Sequence, residues 1–265
     1  MKIGILHIAT GRYICFWDEF YKSAKEHLFK GHDVKYFVFT DSDSIEHENN
    51  PDVIKIYAKS SPWPISVCDK YATLLSGKEQ YKDLDYIFHF NANMKFVAPI
   101  GEEILPQKEH GFLAVCEWAN YIYRKDVENF PYDRNPQCSA YIPSGEGEHY
   151  LMGGLHGGRV NEYIEMCEVL NKNTCEDFEK GIIAKFHDES HINHYFLDKN
   201  PLIVTPNYIM PQNWKIKGYR NNIKGILLKK HHYKYGGHAY LRGITDKKIT
   251  PLKYWLNKLF KLNLQ

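Results

Sequence analysis

The sequence has no apolar run long enough to cross a bilayer, no C-x-x-C pair among its 6 cysteines and almost no net charge. With 34 Lys+Arg against 32 Asp+Glu, the formal charge of +2 excludes a protein that wraps nucleic acid in a basic surface. The cysteine spacing excludes a zinc ribbon and indicates reduced thiols, so we expect a cytoplasmic protein. Residues 1–9 combine one lysine with a short apolar run, which predicts a strand rather than a signal peptide.

The composition is that of a folded globular protein. Hydrophobic residues make up 43% of the 265 positions, which excludes a disordered chain. At this length we expect one domain or two closely joined halves, with a seam between residues 99 and 112. Aromatic residues reach 15%, and their faces suit sugars and bases as well as an ordinary core.

Hydrophobic periodicity predicts an α/β fold. Apolar, strand-like segments alternate with helical spacing over residues 1–90 in the order β-α-β-β-α-β. Such an alternation forms a sheet with a nucleotide-type crevice at the carboxyl ends of its parallel strands. The predicted strands are 2–9, 34–40, 53–57, 86–90, 112–116 and 201–205, and the predicted helices are 14–28, 66–81, 160–170 and 187–197.

The segment His187-Asp188-Glu189-Ser190-His191 contains several groups that can carry chemistry. A helix would place His187 and His191 on one face, as in the zinc motif H-E-x-x-H, although Asp188 stands where that motif has glutamate. Two other interpretations are open. Asp188 or Glu189 is a carboxylate facing a reacting centre, or these acids only complement the helix dipole.

The glycine-rich stretch 153–158, with the sequence GGLHGG, lacks the Lys-Ser/Thr pair of a phosphate loop. Taken alone it predicts a tight turn. Glycine there would also let the backbone approach a ligand closely, because no side chain intervenes.

Asn91-Ala92-Asn93 follows a predicted buried strand, and its two amides point to the same side of the chain. Amides are poor ligands for hard cations, so this pair favours hydrogen bonds to ribose or phosphate, or simple capping of the strand end. A diphosphate leaving group held without metal needs cationic side chains, unless the basic residues near the C-terminus are only solvated. These basic residues are Lys229, Lys230, Lys234, Arg242, Lys247 and Lys248.

The C-terminal tail, residues 241–265, has a basic amphipathic pattern. Such a helix either lies on an anionic membrane surface or docks on its own core. The apolar positions at helical spacing are Leu252, Trp255, Leu256, Leu259 and Leu262, and the interleaved lysines are Lys253, Lys258 and Lys261.

Taken together, these segments resemble glycosyltransferase family 6, the family of the histo-blood-group A and B transferases and the α-1,3-galactosyltransferase. The matching segments span residues 1–210: GH at 31–32, YFVFTD at 36–41, residues 85–97 around NAN, PQ at 136–137, AYIP at 140–143, EG at 146–147, GG at 153–154, GG at 157–158, and HDESH at 187–191 with Asn193 and Tyr195. The lack of a stem or membrane anchor makes the sequence similar to a soluble bacterial member.

The resemblance implies a GT-A fold with one catalytic domain, residues 1–240. Within it, a Rossmann-like nucleotide-binding half, about residues 1–100, joins a half for donor sugar and acceptor, about residues 101–240. The family's metal-binding D-x-D is here Asn91-Ala92-Asn93. Because of that departure, we expect no divalent metal and no other cofactor.

The resemblance also implies roles for single residues. Glu189 falls on the family's catalytic carboxylate. The other implied sites are nucleotide binding by Ile8, Ala9, Tyr13 (stacked on the base), Asn91, Asn93 and Lys230; donor-sugar binding by Asp188, Met152, Gly153, Gly154, His156 and Lys70; and acceptor binding by His110, Phe186 and Glu189.

The resemblance implies substrates as well. Met152 and Gly154 fall on the positions that choose between galactose and its N-acetyl form, and a glycine at 154 leaves room for the acetamido group. We therefore expect UDP-GalNAc before UDP-Gal, and a galactoside bearing α-1,2-fucose as the acceptor. An insertion at 118–130 remodels the acceptor side, and the family's acceptor-contacting Trp and Asp near Met210 and Pro211 are not matched.

The sequence thus predicts a retaining, metal-independent α-1,3-N-acetylgalactosaminyltransferase in which Glu189 stabilises or attacks the oxocarbenium-like centre. Galactose transfer is the second expectation. Two hypotheses from other classes are open: a zinc hydrolase built on His187, His191 and a third ligand, and a non-catalytic glycan-binding protein. We expect a cytoplasmic protein without nucleic-acid partners, with membrane contact only through the tail.

Overall fold

The computed structural model describes residues 1–123, 126–219 and 221–259. In these ranges the chain forms two sheets and a set of helices. The strands are β1 Lys2–Ile8, β2 Asp33–Thr40, β3 Val53–Tyr57, β4 Tyr86–Phe90, β5 Met94–Phe96, β6 Leu113–Glu117, β7 Leu151–Arg159, β8 Leu202–Val204, β9 Met210–Pro211 and β10 Gly225–Leu227. The helices are α1 Trp17–His27, α2 Ile65–Cys68, α3 Lys70–Leu75, α4 Lys78–Tyr81, α5 Val160–Glu179, α6 Asp188–Tyr195, α7 His238–Leu241 and α8 Pro251–Leu259.

The larger sheet has the strand order β3-β2-β1-β4-β7-β6-β8. Strand β7 is antiparallel to both of its neighbours, β4 and β6, whereas the other neighbouring pairs are parallel. The carboxyl ends of β1 and β4 therefore lie at the same edge of the sheet as the start of β7. In open α/β sheets this edge is where ligands bind.

Both faces of this sheet are covered, as α/β patterning requires. On one face, Trp17 and Phe20 of α1 pack with Ile3 and Ile5 of β1. The opposite face carries a second apolar cluster, which includes Leu6 of β1, Ile87 of β4, Tyr71 of α3 and Tyr163 of α5. The predicted α/β class is confirmed, and the large sheet takes strands from both predicted halves of the chain.

The predicted helix 66–81 is instead three short helices, α2, α3 and α4. Gly77 lies between α3 and α4, where the chain passes close to the sheet. A Cβ there would lie 2.6 Å from the Cδ1 of Ile56 and 3.0 Å from the ring of Phe39. The close approach of this segment to β2 and β3 interrupts the helix, and the weak periodicity of 66–81 did not reveal it.

The expected tight turn at 153–158 is wrong, because these residues lie within strand β7. Glycine occurs there because the neighbouring strands β4 and β6 leave little room for a side chain on β7. A Cβ on Gly157 would lie 2.6 Å from the carbonyl oxygen of Ile87 in β4. The glycines thus allow β7 to pack in the middle of the sheet.

The second sheet, in the order β5-β10-β9, holds the later part of the chain beside the first sheet. After β10 come α7 and α8, while Lys261 and Leu262 of the predicted amphipathic helix lie outside the described residues. No helix in the described ranges combines the length and apolarity that a membrane-spanning helix needs.

Candidate active site

A cavity of about 610 Å³ opens at the edge where β1 and β4 end and β7 begins. Its walls come from segments far apart in the sequence. They include Ile8, Thr10, Arg12 and Tyr13 after β1, Trp63 and Lys70 near α3, Asn91 and Asn93 after β4, Trp118 after β6, Met152, Gly153 and Gly154 in β7, Asp188 and Glu189 in α6, and Lys230, His238 and Arg242 in the last part of the chain.

Two of the three residues predicted to hold uridine, Ile8 and Tyr13, line this cavity. Lys230 places its Nζ 5.2 Å from the centre of the Tyr13 ring. Ala9 does not line the cavity. Its side chain is fully buried, its N–H donates to the carbonyl of Phe39 (2.8 Å), and its carbonyl accepts from the hydroxyl of Thr40 (2.9 Å). The predicted nucleotide contact of Ala9 therefore has no free group to make it.

The two asparagines after β4 have different surroundings. Asn91 donates its backbone N–H to the carbonyl of Gly154 (2.8 Å), and its side chain faces the cavity. Asn93 donates its amide Nδ2 to the carbonyl of Leu228 (2.6 Å), and Leu228 donates its N–H to the carbonyl of Asn93 (2.8 Å). Asn93 thus anchors the segment that carries Lys230. Its Oδ1 is buried without a hydrogen-bond partner among the described residues.

Lys70 and Asp188 form a buried ion pair at the cavity wall. Lys70 also donates to the carbonyl of Gly153 (2.7 Å), and the hydroxyl of Tyr71 donates to the carbonyl of Asp188 (3.2 Å). A Cβ on Gly153 would collide with the Asp188 carboxylate, so a side chain at this position would displace Asp188 from its contact with Lys70. These bonds hold α3, β7 and α6 together and fix the orientation of Asp188.

Glu189 presents its carboxylate to the same cavity. The indole Nε1–H of Trp118 donates to Oε1, and the backbone N–H of Gly153 donates to Oε2, both over 3.2 Å. Burial, followed by the negative charge of Asp188, raises the pKa of Glu189 to about 7, while Tyr150, Gly153 and Lys70 act in the opposite direction. This carboxyl group therefore titrates near neutral pH.

The end of the cavity that Lys230 and Arg242 line is positively charged. Burial lowers the pKa of Lys230 to about 8, and the charges of Lys70 and Arg242 act in the same direction. The guanidinium of Arg242 lies 4.7 Å from the centre of the Trp63 ring. Arg12 donates to the carbonyls of Tyr240 (2.8 Å) and Thr245 (2.6 Å), and so holds the chain around α7 against this end of the cavity.

Met152 and Gly154, the two predicted selector residues, line the cavity next to Asn91. A Cβ on Gly154 would lie 2.7 Å from Nδ2 of Asn91 and 2.9 Å from Cε of Met152. The side chains of Asn91 and Met152 thus pack closely against Gly154, and a side chain at this position would displace one of them.

His156, a predicted donor-sugar contact, does not line the cavity. It pairs with His89 of β4 on one side and Val115 of β6 on the other, which places it in the interior of the sheet. Its Nδ1 lies 2.9 Å from the hydroxyl of Tyr163, under helix α5. His156 follows the glycine pair in sequence, but β7 has by then left the edge where the cavity opens.

Two predicted acceptor residues also lie outside the cavity. His110 stands in the turn before β6, and β6 runs in the same direction as β4, so its start is at the opposite edge of the sheet. Phe186 is 42% exposed and precedes α6 without lining the cavity. Of the predicted acceptor residues only Glu189 faces it. From the predicted insertion, Trp118 does so, with its ring centre 6.4 Å from that of Trp214.

The predicted zinc geometry at 187–191 is wrong, because α6 begins at Asp188 and His187 precedes it with a φ of 52°. The ring of His187 lies 5.5 Å from Trp63. His191 is buried, with Nε2 3.8 Å from the carboxylate of Asp177. The two imidazoles therefore do not share a helical face, and the described residues contain no group of three His, Cys, Asp or Glu that could hold a metal ion.

Several cavity residues were not predicted from the sequence. Thr10 and Arg12 follow β1 directly, and the position of a strand end would have been sufficient to identify them. Trp63 and His238 carry no motif that would have marked them. Arg242 was recognised only as part of a basic cluster.

Comparison with known proteins gives a consistent result. The sequence profile described as Glycosyltransferase family 6 matches residues 1–235. The chain is 32% identical over 217 residues to globoside alpha-1,3-N-acetylgalactosaminyltransferase 1 of Gallus gallus, covering 79% of this chain and 62% of that protein. It is 31% identical over 236 residues to histo-blood group ABO system transferase 1 of Rattus norvegicus, covering 84% and 64%.

A bacterial relative is similar over more of its own length. The chain is 28% identical over 214 residues to the O-antigen biosynthesis glycosyltransferase WbnI of Escherichia coli, covering 81% of this chain and 90% of that protein. The chain thus spans less than two thirds of the two animal proteins and most of the bacterial one.

Proposed function

The chain belongs to glycosyltransferase family 6, and on that premise we propose that its cavity transfers N-acetylgalactosamine from UDP-GalNAc to a galactoside, with retention of the α configuration. The fold inferred from the sequence, a mixed α/β fold of the GT-A type, is that of this family. The observation that carries the proposal is the position of Glu189, a carboxylate that titrates near neutral pH in a cavity that Lys230 and Arg242 also line.

The aromatic and charged side chains of the cavity favour one orientation of the donor. Tyr13 offers an aromatic face for the uracil ring, and Lys230 beside it is suited to the diphosphate. The sugar then lies between Asn91 and the Lys70–Asp188 pair, with its anomeric carbon toward Glu189. In this orientation the developing negative charge meets the positive end of the cavity and the developing positive charge meets the carboxylate.

We take GalNAc as the transferred sugar because Gly154 falls on a position where the family resemblance implies a choice between galactose and its N-acetyl form. A methyl group at position 154 would press on Asn91 and Met152, two side chains that line the cavity, whereas glycine leaves both in place. The relative from Gallus gallus is named as an N-acetylgalactosaminyltransferase, which accords with this choice. UDP-Gal is the second donor that the same pocket would accept.

For the acceptor we propose a galactoside, with a fucosylated one preferred. Trp118 reaches the cavity beside Glu189 and packs near Trp214, and such indole faces suit the apolar face of a galactose ring. Because Trp118 contacts the catalytic carboxylate, an acceptor sugar bound on this side lies next to the reacting centre.

We further propose that transfer needs no divalent metal. The residues at the family's metal position, Asn91 and Asn93, suit a hard cation poorly, because both are neutral amides and such cations favour carboxylates. The charge of the departing UDP is instead neutralised by Lys230 and Arg242.

A screen for UDP release tests the proposal directly. UDP-GalNAc, UDP-Gal, UDP-GlcNAc and UDP-Glc would be offered with a fucosylated galactoside, a plain galactoside or no acceptor. We expect release from UDP-GalNAc to rise most with the fucosylated galactoside. Glu189→Gln should lower transfer by on the order of a hundredfold or more, because an essential electrostatic or nucleophilic group is lost.

Glu165→Gln serves as the matched control, since Glu165 is an exposed carboxylate on α5, and it should leave the rate unchanged. Near-normal transfer by Glu189→Gln would remove this residue from the mechanism. Glycan binding without release of UDP from any of the four donors would instead identify a binding protein.

A further inference from the structure

Helix α8 presents a continuous apolar face to solvent. Leu252, Leu256 and Leu259 recur at positions i, i+4 and i+7, with Trp255 beside them, so the four side chains share one side of the helix. They are between 43% and 74% exposed, although side chains of this kind are usually buried. A patch of four large apolar side chains on a helix of nine residues indicates an interaction surface.

The segment before α7 already contacts the other side of this helix. Tyr254 is the one residue of α8 that is buried, at 4% exposure. Its ring packs against His232 at 4.8 Å and Tyr233 at 5.5 Å between ring centres. Because Tyr254 and the leucines point in opposite directions, docking of α8 on the protein leaves the apolar face outward.

The surroundings of this face are basic. Lys253 and Lys258 flank the apolar side chains, and Lys258 lies 4.7 Å from the centre of the Trp255 ring. Among the described residues no carboxylate lies within ion-pair distance of either lysine. On the docked side of the helix, Lys234, Lys229 and Lys258 lower the pKa of His232, after the larger effect of burial, and Lys234 is paired with Glu19.

We propose that the exposed face of α8 docks the protein on an anionic lipid surface. Lysines beside a strip of leucine and tryptophan match a bilayer surface, where the apolar groups enter the acyl boundary and the ammonium groups remain among anionic headgroups. A second copy of the chain fits less well, because pairing this face with itself would bring the lysines of both copies together.

This inference adds a location to the proposed function without depending on it. Arg242 at the cavity precedes α8 closely in the chain, and Arg12 fixes the intervening segment through Tyr240 and Thr245. A docked α8 therefore holds the cavity near the membrane, which suits an acceptor glycan carried on a lipid.

The test is co-sedimentation of the full chain with phosphatidylcholine vesicles prepared with and without phosphatidylglycerol, at low and high salt. We expect binding to the anionic vesicles, which weakens with salt and with removal of phosphatidylglycerol. Leu252→Ser combined with Leu259→Ser should lower the partition coefficient by about tenfold or more. Lys253→Gln combined with Lys258→Gln should lower it by roughly fivefold per lysine.

Ile183→Ser and Lys172→Gln are the controls, because each removes an exposed apolar or basic side chain far along the sequence from α8, and they should bind as the parent does. UDP release with soluble acceptors should be equal for all variants, so loss of vesicle binding and loss of catalysis are separate readouts. No binding to anionic vesicles, or binding that the leucine pair does not affect, would overturn the proposal. So would a dimer in sedimentation velocity that the leucine substitutions dissociate.

Discussion

At the scale of single residues, the protonation state of Glu189 decides whether the proposed sugar transfer can occur. Its carboxylate has to be ionised in order to stabilise or attack a cationic sugar carbon, and its raised pKa of about 7 places the loss of that charge within the working range of pH. Activity should therefore fall as the pH drops below about 7 and this group gains a proton.

Trp118 should act on this titration through its indole N–H. Hydrogen bonds donated to a carboxylate favour the ionised form, so Trp118→Phe, which keeps a large ring and removes the donor, should raise the pKa of Glu189. We expect the acidic limb of the kcat/KM profile to move up by about one pH unit. The measurement is kcat/KM for UDP release between pH 5.5 and 9, a range of roughly two units on either side of neutrality.

Trp214→Phe is the matched control, because Trp214 packs near Trp118 while Glu189 accepts from Trp118. It should leave the acidic limb in place. A Trp118→Phe profile that falls uniformly at every pH would reduce the tryptophan to a packing role.

The family resemblance identified part of the cavity lining, including Glu189, Asp188, Lys70 and Lys230. It did not identify those whose place depends on strand direction. His110 precedes β6 and therefore lies at the sheet edge opposite the cavity. His156 follows Gly154 by two residues and lies in the interior of the sheet. A motif fixes the position of a residue in the chain, whereas the topology decides which edge of the sheet that position reaches.

At the scale of elements, α6 is held in place by the buried carboxylate of Asp177 near the end of α5. This carboxylate accepts from the N–H of Ser139 (3.0 Å), the hydroxyl of Ser139 (2.8 Å) and the thiol of Cys138 (3.2 Å), and it faces His191 of α6. Through these contacts α5, α6 and the preceding loop form one unit. The unit sets the position of Asp188 and Glu189 at the start of α6.

Asp177→Asn should destabilise this unit, because an amide cannot accept all of the hydrogen bonds that the carboxylate does. We expect the free energy of unfolding to fall by about 2–3 kcal/mol, measured by urea denaturation. Glu176→Gln, one residue away on the same helix, removes an exposed pairing with Lys172 and should cost less than about 0.5 kcal/mol. Equal effects of the two substitutions would contradict the role given to Asp177.

Periodicity located most strands within one or two residues of their observed ends, because buried strands of this type read as continuous apolar runs. It misassigned 153–158, since glycines carry no hydrophobic signal and β7 is defined by pairing with β4 and β6. The break in 66–81 was equally invisible, because it arises from contact with residues of the sheet. Both errors concern tertiary packing that no local pattern encodes.

At the scale of the whole molecule, the cavity joins parts of the chain that are distant in sequence. Asn93 binds the segment of Leu228 that carries Lys230, and Arg12 binds the segment around Tyr240. The cationic end of the cavity is thereby built against the carboxyl ends of β1 and β4, where the diphosphate would lie. We propose that this positive charge takes the place of the divalent ion that carboxylates at 91 and 93 would hold.

The most direct test of that claim is the rate of sugar transfer from UDP-GalNAc in the presence of EDTA, compared with the rate in Mn²⁺, for the parent chain, Lys230→Gln and the exposed control Lys180→Gln. We expect equal transfer rates in EDTA and Mn²⁺ for the parent and the control. For Lys230→Gln we expect the rate to fall by about a hundredfold in both conditions. Collapse of transfer in EDTA with recovery in Mn²⁺, together with near-normal transfer by Lys230→Gln, would contradict that claim.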